Sequence, residues 1–195
     1  MAREVTIAVL FSGKGSNLES LIRRFHNKRF GNTTVRVAAV TNRPDAGGIE
    51  RARRYGVEPV VIDHRGYESR EAFDAELVKA IEAIGPDLTV MAGFMRILTP
   101  VFTDRVDAIN LHPSLLPLFK GAKAIERSFE SGMKVGGVTV HRVTGELDSG
   151  EILAQRCVPI EEGDTLERFT ERIQAVEHEL LPETVAKLLK LKTRA

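Results

Sequence analysis

The chain has little with which to cross-link itself: one cysteine, Cys157, stands among 195 residues. That excludes an internal disulfide and a cysteine-rich metal cluster. The neighbours of Cys157 (Val158, Pro159, Ile160) predict a small core position for it instead. Tryptophan is absent and aromatics make up 6% of the chain, too few for a platform that stacks single-stranded nucleic acid. An excess of either charge is missing too, since 28 basic residues face 27 acidic ones for a net charge of +1. With no basic field and no acidic tail, neither nucleic acid nor a strongly charged partner is expected. No apolar run reaches membrane length, and the N-terminus enters VTIAVLF without a cleavage site, which predicts a cytoplasmic protein and no membrane partner.

What is present reads as one globular domain over residues 1–195, with 43% hydrophobic and 28% charged residues and enough length to bury a core. Apolar, β-branched runs recur at 5–11, 34–41, 59–62, 88–92 and 108–111. Between them lie helical patterns at 17–26, 48–56 and 69–85. That alternation predicts an α/β fold, a Rossmann-like and mostly parallel twisted sheet covered on both faces. Ser16 and Glu19 have capping-box spacing, Ser69 suits an N-cap, and Gly56 and Gly85 suit helix stops. After residue 112 the pattern changes to a short helix around 122–131 and two adjoining strands, 135–143 and 151–160. These predict an antiparallel C-terminal strand pair, followed by a long amphipathic helix over 165–191.

Three stretches carry candidate chemistry. FSGKGSNLES (11–20) is a glycine-rich turn between strand and helix, where backbone amides of Gly15, Ser16 and Asn17 favour a phosphate. A dinucleotide fingerprint fails because Leu18 stands at the third glycine position and Thr41 and Asn42 where an acidic residue is needed. The Gly-Lys-Ser/Thr ending of a Walker loop is also missing, which leaves a monophosphate site or a plain tight turn. In INLHPSLLP (109–117), Asn110 and His112 are two apart and so share one face of a strand that Pro113 brings to a stop. They form either a site at the carboxyl edge of the sheet or a satisfied structural pair. In TGELDSGEIL (144–153), Asp148 is either a plain turn residue or a carboxylate folded back over His112.

Taken together, GSNL, AGFMRILTP, NLHPSLLP and ELDSG resemble the phosphoribosylglycinamide formyltransferases over nearly the whole chain, from Val5 to the QAVEHELLP segment. NxHPSLLP is common to relatives that use formyl-folate, whereas GSNL specifies the phosphate-bearing substrate. The resemblance implies transfer of a formyl group from 10-formyltetrahydrofolate to glycinamide ribonucleotide, in a monomer or homodimer that needs no metal. It implies Asn110, His112 and Asp148 as catalytic residues, and a nucleotide held by Gly15, Ser16, Asn17, Gln174 and Glu177. Folate contacts are implied for Arg70, Met95, Arg96, Ile97 and Leu98 and for the loop Gly145, Glu146, Leu147, Asp148. It further implies an N-terminal phosphate-binding half (about 1–100) and a C-terminal catalytic and folate-binding half. Chemically, Asn110 and a protonated His112 are expected to donate to the developing oxyanion, with Asp148 keeping the ring charged. One stretch departs: Phe119-Lys120-Gly121-Ala122-Lys123, followed by Ile125, stands where many members carry Tyr-Pro-Gly and then histidines. FKGAK is closer to the formyltetrahydrofolate deformylases, which hydrolyse the same donor. Those enzymes, however, usually carry an extra N-terminal domain and lack the GSN turn.

Overall fold

The structure is a computed structural model that describes residues 3–191. Of the domain expected over 1–195, residues 1, 2 and 192–195 therefore lie outside the described residues. Eight strands form one sheet: β1 (Arg3–Phe11), β2 (Lys28–Phe30), β3 (Thr33–Thr41), β4 (Val60–Val61), β5 (Leu88–Ala92), β6 (Ala108–His112), β7 (Val135–Arg142) and β8 (Ile152–Pro159). Their order is β2-β3-β1-β5-β6-β7-β8, with β4 pairing to the far end of β3. The centre, β3-β1-β5-β6, is parallel, and β7 and β8 add antiparallel to β6. The expected architecture is the observed one.

Six helices are described: α1 (Ser16–Phe25), α2 (Gly48–Arg53), α3 (Arg70–Ile84), α4 (Pro100–Thr103), α5 (Ala124–Glu130) and α6 (Leu166–Leu188). α1 buries Leu18, Leu21, Ile22 and Phe25, the i, i+3, i+4, i+7 stripe of an amphipathic helix. Strand alternation divides the core in two. Ile7, Val9 and Phe11 of β1 point into a cluster with α1, α2 and α6, while Leu10 points into a second cluster with α3. Full burial of a side chain as large as Phe11, Phe25 or Phe169 contributes about 1.5–3 kcal/mol, so this core fixes the strand ends on which the site is built.

Two local expectations fail. Ser16 does not cap α1; it is the first helical residue, and the cap is Gly15 in the left-handed region at φ 72°, with no side-chain cap hydrogen bond. Cys157 is exposed rather than in the core, because β8 is the edge strand and alternation turns Val158 inward at its expense. Ser69 and Gly85 do what was expected of them: the Ser69 hydroxyl accepts from Ala72 N–H, and Gly85 ends α3 at φ 60°. Three elements were not anticipated, the hairpin strand β2, the single turn α4 and a 3-10 turn at His64–Gly66.

Candidate active site

β1 leads to β3 on one side and lies beside β5 on the other. The strand order reverses there, and in open α/β sheets ligands sit in the crevice at the carboxyl ends of such strands. The glycine-rich turn leaves β1 at this edge, the 93–99 loop leaves β5, and His112 ends β6.

The turn needs glycine for a reason of space. A Cβ on Gly15 would lie 2.6 Å from the Cα of Gly48, and one on Gly48 would lie 2.5 Å from the Phe11 ring. The two backbones touch, and Gly48 N–H donates to the Gly13 carbonyl at 3.0 Å. Beside this turn Asn17 Nδ2 donates to Glu177 Oε2 of α6 at 3.0 Å, while Asn17 Oδ1 is buried without a partner. Gln174 lies one turn earlier on α6 and is exposed. An open groove of about 890 Å³ starts at Ser16 and runs between α1 and α6 past Arg23, Arg51 and His178.

Burial raises the pKa of Glu177 above its ordinary 4.5, the Asn17 hydrogen bond pulling the other way. A carboxyl with a raised folded pKa favours folding most below its unfolded pKa and loses that contribution as pH rises through the folded value. At neutral pH the charge therefore costs stability. Glu177→Gln keeps an acceptor for Asn17 and is expected to raise Tm at pH 7.5 by about 2–4 °C while changing it little at pH 4. A lower Tm at pH 7.5 would contradict this reading of the buried charge.

The second group of side chains converges from three chain segments. Register pairs Asn110 with His141 and His112 with Thr139 across β6 and β7. The β7–β8 loop starts next to Ala108, where Val143 N–H donates to its carbonyl, and folds back so that Asp148 reaches His112. Asp148 Oδ2 lies 3.4 Å from His112 Nδ1, and Oδ1 lies 3.5 Å from both His141 Nε2 and Asn110 Nδ2. Asp148 itself adopts a left-handed backbone, φ 50°, a conformation that costs a non-glycine residue of order 1–3 kcal/mol. Gly150 permits the return of the loop: a Cβ there would lie 1.9 Å from the Arg142 carbonyl oxygen.

The stretch that departs from the resembled pattern, FKGAK, touches this cluster through its backbone. The Phe119 carbonyl lies 3.0 Å from His112 Nε2, and Gly121 N–H donates to Asp148 Oδ2 at 2.8 Å. Lys120 Nζ bonds Ser149 Oγ and lies 3.5 Å from Glu146, tying the two loops together. Since main-chain atoms make the key contacts, other side chains in this stretch are compatible with the same geometry.

Protonation follows from these partners. A carbonyl only accepts, so His112 Nε2 carries a proton toward Phe119 and Nδ1 faces the carboxylate. His112 is 5% exposed, and burial lowers its pKa below 6.5 despite the opposing pull of the Phe119 carbonyl and Asp148. Burial thus shifts the ring toward its neutral form, against the expectation of a ring held charged, which its two acceptors favour. For Asp148 burial alone would raise the pKa; the nearby His141 ring, the Gly121 N–H bond and the His112 ring outweigh it and lower the value. His141 Nδ1–H donates to the Arg142 carbonyl at 2.8 Å, leaving Nε2 to accept from Asn110 Nδ2 at 3.1 Å. Sequence reasoning missed His141. Its signal was the alternation of β7, which sets it two residues from Thr139 and opposite Asn110.

The residues expected to hold folate are positioned unevenly. Met95 and Ile97 are 77% and 56% exposed on the loop after β5, and Leu147 is 49% exposed next to Asp148, with Gly145 and Glu146 also exposed. Arg96 lies over the Phe73 ring at 5.3 Å with its Nε buried and unpartnered, and Leu98 is half-buried. Arg70 is exposed at the start of α3 without an ion-pair partner among the described residues. Among those residues no group of three or more His, Cys, Asp or Glu could hold a metal, and no helix is long and apolar enough to cross a membrane.

With this geometry in view, comparison with known proteins is decisive. Residues 5–185 match the formyl transferase family. The chain belongs to it. A phosphoribosylglycinamide formyltransferase of Escherichia coli is 41% identical over 91% of this chain and 84% of its own length. A crystal structure of phosphoribosylglycinamide formyltransferase from Campylobacter jejuni shares 51% identity, covers 97% of this chain and 100% of that one, and superposes with a TM-score of 0.93. The trifunctional purine biosynthetic protein adenosine-3 of Gallus gallus is 41% identical over 92% of this chain, which spans 18% of that protein's length. The family match extends from β1 to the last turn of α6 and so includes every element of the cluster.

Proposed function

We propose that this formyl transferase moves the formyl group of 10-formyltetrahydrofolate to the amine of glycinamide ribonucleotide, giving the formylated nucleotide and tetrahydrofolate in purine biosynthesis. The observation that carries the reading is the convergence of Asn110 and His112 on Asp148, each within 3.5 Å of it, on the sheet edge that also bears the glycine-rich turn. In this reading the first hundred or so residues supply the phosphate site, over Gly15, Ser16 and Asn17, and the sugar side of the ribonucleotide lies toward Gln174 and Glu177 of α6. The later half carries the reacting groups. The folate lies against the exposed apolar side chains of Met95, Ile97 and Leu147, with the Arg96 and Arg70 guanidinium groups available to its carboxylates.

The amine attacks the formyl carbon and the carbonyl oxygen becomes an oxyanion. Asn110 has one N–H on His141 and one aimed at Asp148 across a long 3.5 Å, and the latter is free to turn to that oxygen. His112 Nδ1 accepts the proton lost by the amine, directly or through water. The imidazolium so formed is stabilised by acceptors on both sides, Phe119 O and Asp148. Collapse breaks the bond to N10 and returns that proton to it, so no covalent enzyme intermediate is required.

Ser16→Ala and Asn17→Ala test the nucleotide half of the reading. Each is expected to raise KM for glycinamide ribonucleotide about tenfold and to leave the folate KM nearly unchanged, the loss of one hydrogen bond to a charged group. Steady-state kinetics with both substrates varied measures this, and the effect should disappear for a dephosphorylated analogue. Equal binding of phosphorylated and dephosphorylated analogues by the unaltered protein would remove the phosphate from the turn.

A further inference from the structure

The loop from Gly93 to Thr99 has no regular structure, yet in the reading above it forms one wall of the folate site. Its path is set by few contacts. At its C-terminal end the buried Asp74 carboxylate accepts from both Thr99 N–H and Thr99 Oγ1, at 2.6 and 2.7 Å. In the middle Arg96 rests on Phe73. At its N-terminal end Phe94 is buried in the second core cluster, and the polar contacts come from Ser12. Ser12 N–H donates to the Gly93 carbonyl at 3.0 Å, and its hydroxyl accepts from Met95 N–H at 2.7 Å.

That hydroxyl is itself fixed. Ser12 is 2% exposed, and its Oγ donates to Oδ1 of Asn42, also 2% exposed, at 2.6 Å. A hydroxyl has one proton and two lone pairs, so donating to Asn42 commits the proton and turns a lone pair to the Met95 amide. Asn42 is held in turn: its main-chain carbonyl accepts from His64 Nδ1 at 2.8 Å, and the His64 ring stands edge-on to Phe73 at 6.4 Å. One connected set of contacts thus reaches the loop twice, at Met95 through Ser12 and at Arg96 through Phe73. Neither Ser12 nor Asn42 has an exposed surface with which to touch a substrate.

We propose that Ser12, oriented by Asn42, is a positioning residue that fixes the height of the Met95–Leu98 loop and so tunes the enzyme's affinity for the folate substrate. The inference rests on the reading of that loop as a folate wall. Ser12 follows the last residue of β1 and directly precedes the phosphate turn, but its side chain serves the other loop. Its removal should therefore separate the two substrates. Ser12→Ala strips both Met95 N–H and Asn42 Oδ1 of their partner, and a binding wall held by such second contacts loses affinity when they go.

Steady-state kinetics on Ser12→Ala, with both substrates varied, and direct titration with tetrahydrofolate test this. The expected result is a folate KM and a tetrahydrofolate Kd raised about tenfold, with the ribonucleotide KM within about twofold of the unaltered protein. Ser12→Thr, which keeps the hydroxyl, should recover most of the loss, and Asn42→Ala should show the same one-sided signature if Ser12→Ala folds poorly. A merely structural role would raise both KM values together, and that outcome, or an unchanged folate KM, overturns the proposal. Failure of the underlying reading looks different: the unaltered protein would then show no saturable binding of tetrahydrofolate.

Discussion

His112→Asn is expected to lower kcat by about 10²–10³, the usual cost of losing one group that stabilises charge in the transition state, while changing either KM by far less. The substitution is chosen for its geometry. An asparagine amide nitrogen can take the place of Nδ1 and donate to Asp148, so the carboxylate keeps a partner, while the contact of Nε2 with the Phe119 carbonyl is lost. What disappears is a basic nitrogen beside Asp148. Because burial shifts the ring toward its neutral form, that nitrogen can take up the amine's proton near pH 7. Near-normal kcat in a variant with unchanged thermal melting would exclude His112 from the chemistry.

Asp148→Asn should act at the same step, lowering kcat by on the order of 10², and its effect should be strongly non-additive with that of His112→Asn. The carboxylate stabilises an imidazolium that exists only once the proton has moved, so without His112 it has little left to stabilise. The pH profile gives a second, independent readout. With a neutral resting ring as proton acceptor, kcat/KM should fall on the acid side with a midpoint below 6.5, the ordinary histidine value. Asp148 is one of two influences that raise the pKa of His112, the Phe119 carbonyl being the other. Removing its charge should therefore move that limb to lower pH. Additive effects, or an acid limb that stays in place, would mean that the two residues do not work together despite the 3.4 Å between them.

How much of this was legible in the sequence depends on which atoms do the work. Side chains on β6 were legible, although His141 on β7 was not. The two-residue spacing of Asn110 and His112 places both on one face, and the strand–turn–strand pattern around ELDSG brings Asp148 back to them. The parallel sheet and its antiparallel extension follow from the same periodicity. Backbone contacts were not legible. Nothing in FKGAK announces that Phe119 offers a carbonyl to His112 or that Gly121 offers an amide to Asp148, because any residue carries those groups. The stretch that looked most foreign by its side chains proves to be built into the site by its main chain. Ionisation was misread for a related reason: the carboxylate next to His112 was visible, but the depth of burial that outweighs it was not. Cys157 failed because apolar neighbours do not distinguish an inner strand from an edge strand. Ser12 went unnoticed because its role depends on a loop 83 residues away.

The central claim is that the phosphate turn makes this protein a transferase, with an amine held where a hydrolase would hold water. Asn110, His112 and Asp148 serve either reaction, so the turn is what discriminates. Binding energy from a remote phosphate can position a nucleophile well enough to remove about 7–11 kcal/mol from a barrier, and water has no such anchor. The direct measurement is tetrahydrofolate release from 10-formyltetrahydrofolate, with and without glycinamide ribonucleotide, and with formate and formylated nucleotide quantified in parallel. Release should be slow alone and should rise steeply on addition of the nucleotide, with one formylated nucleotide per tetrahydrofolate and little formate. Rapid formate release indifferent to the nucleotide would contradict the account.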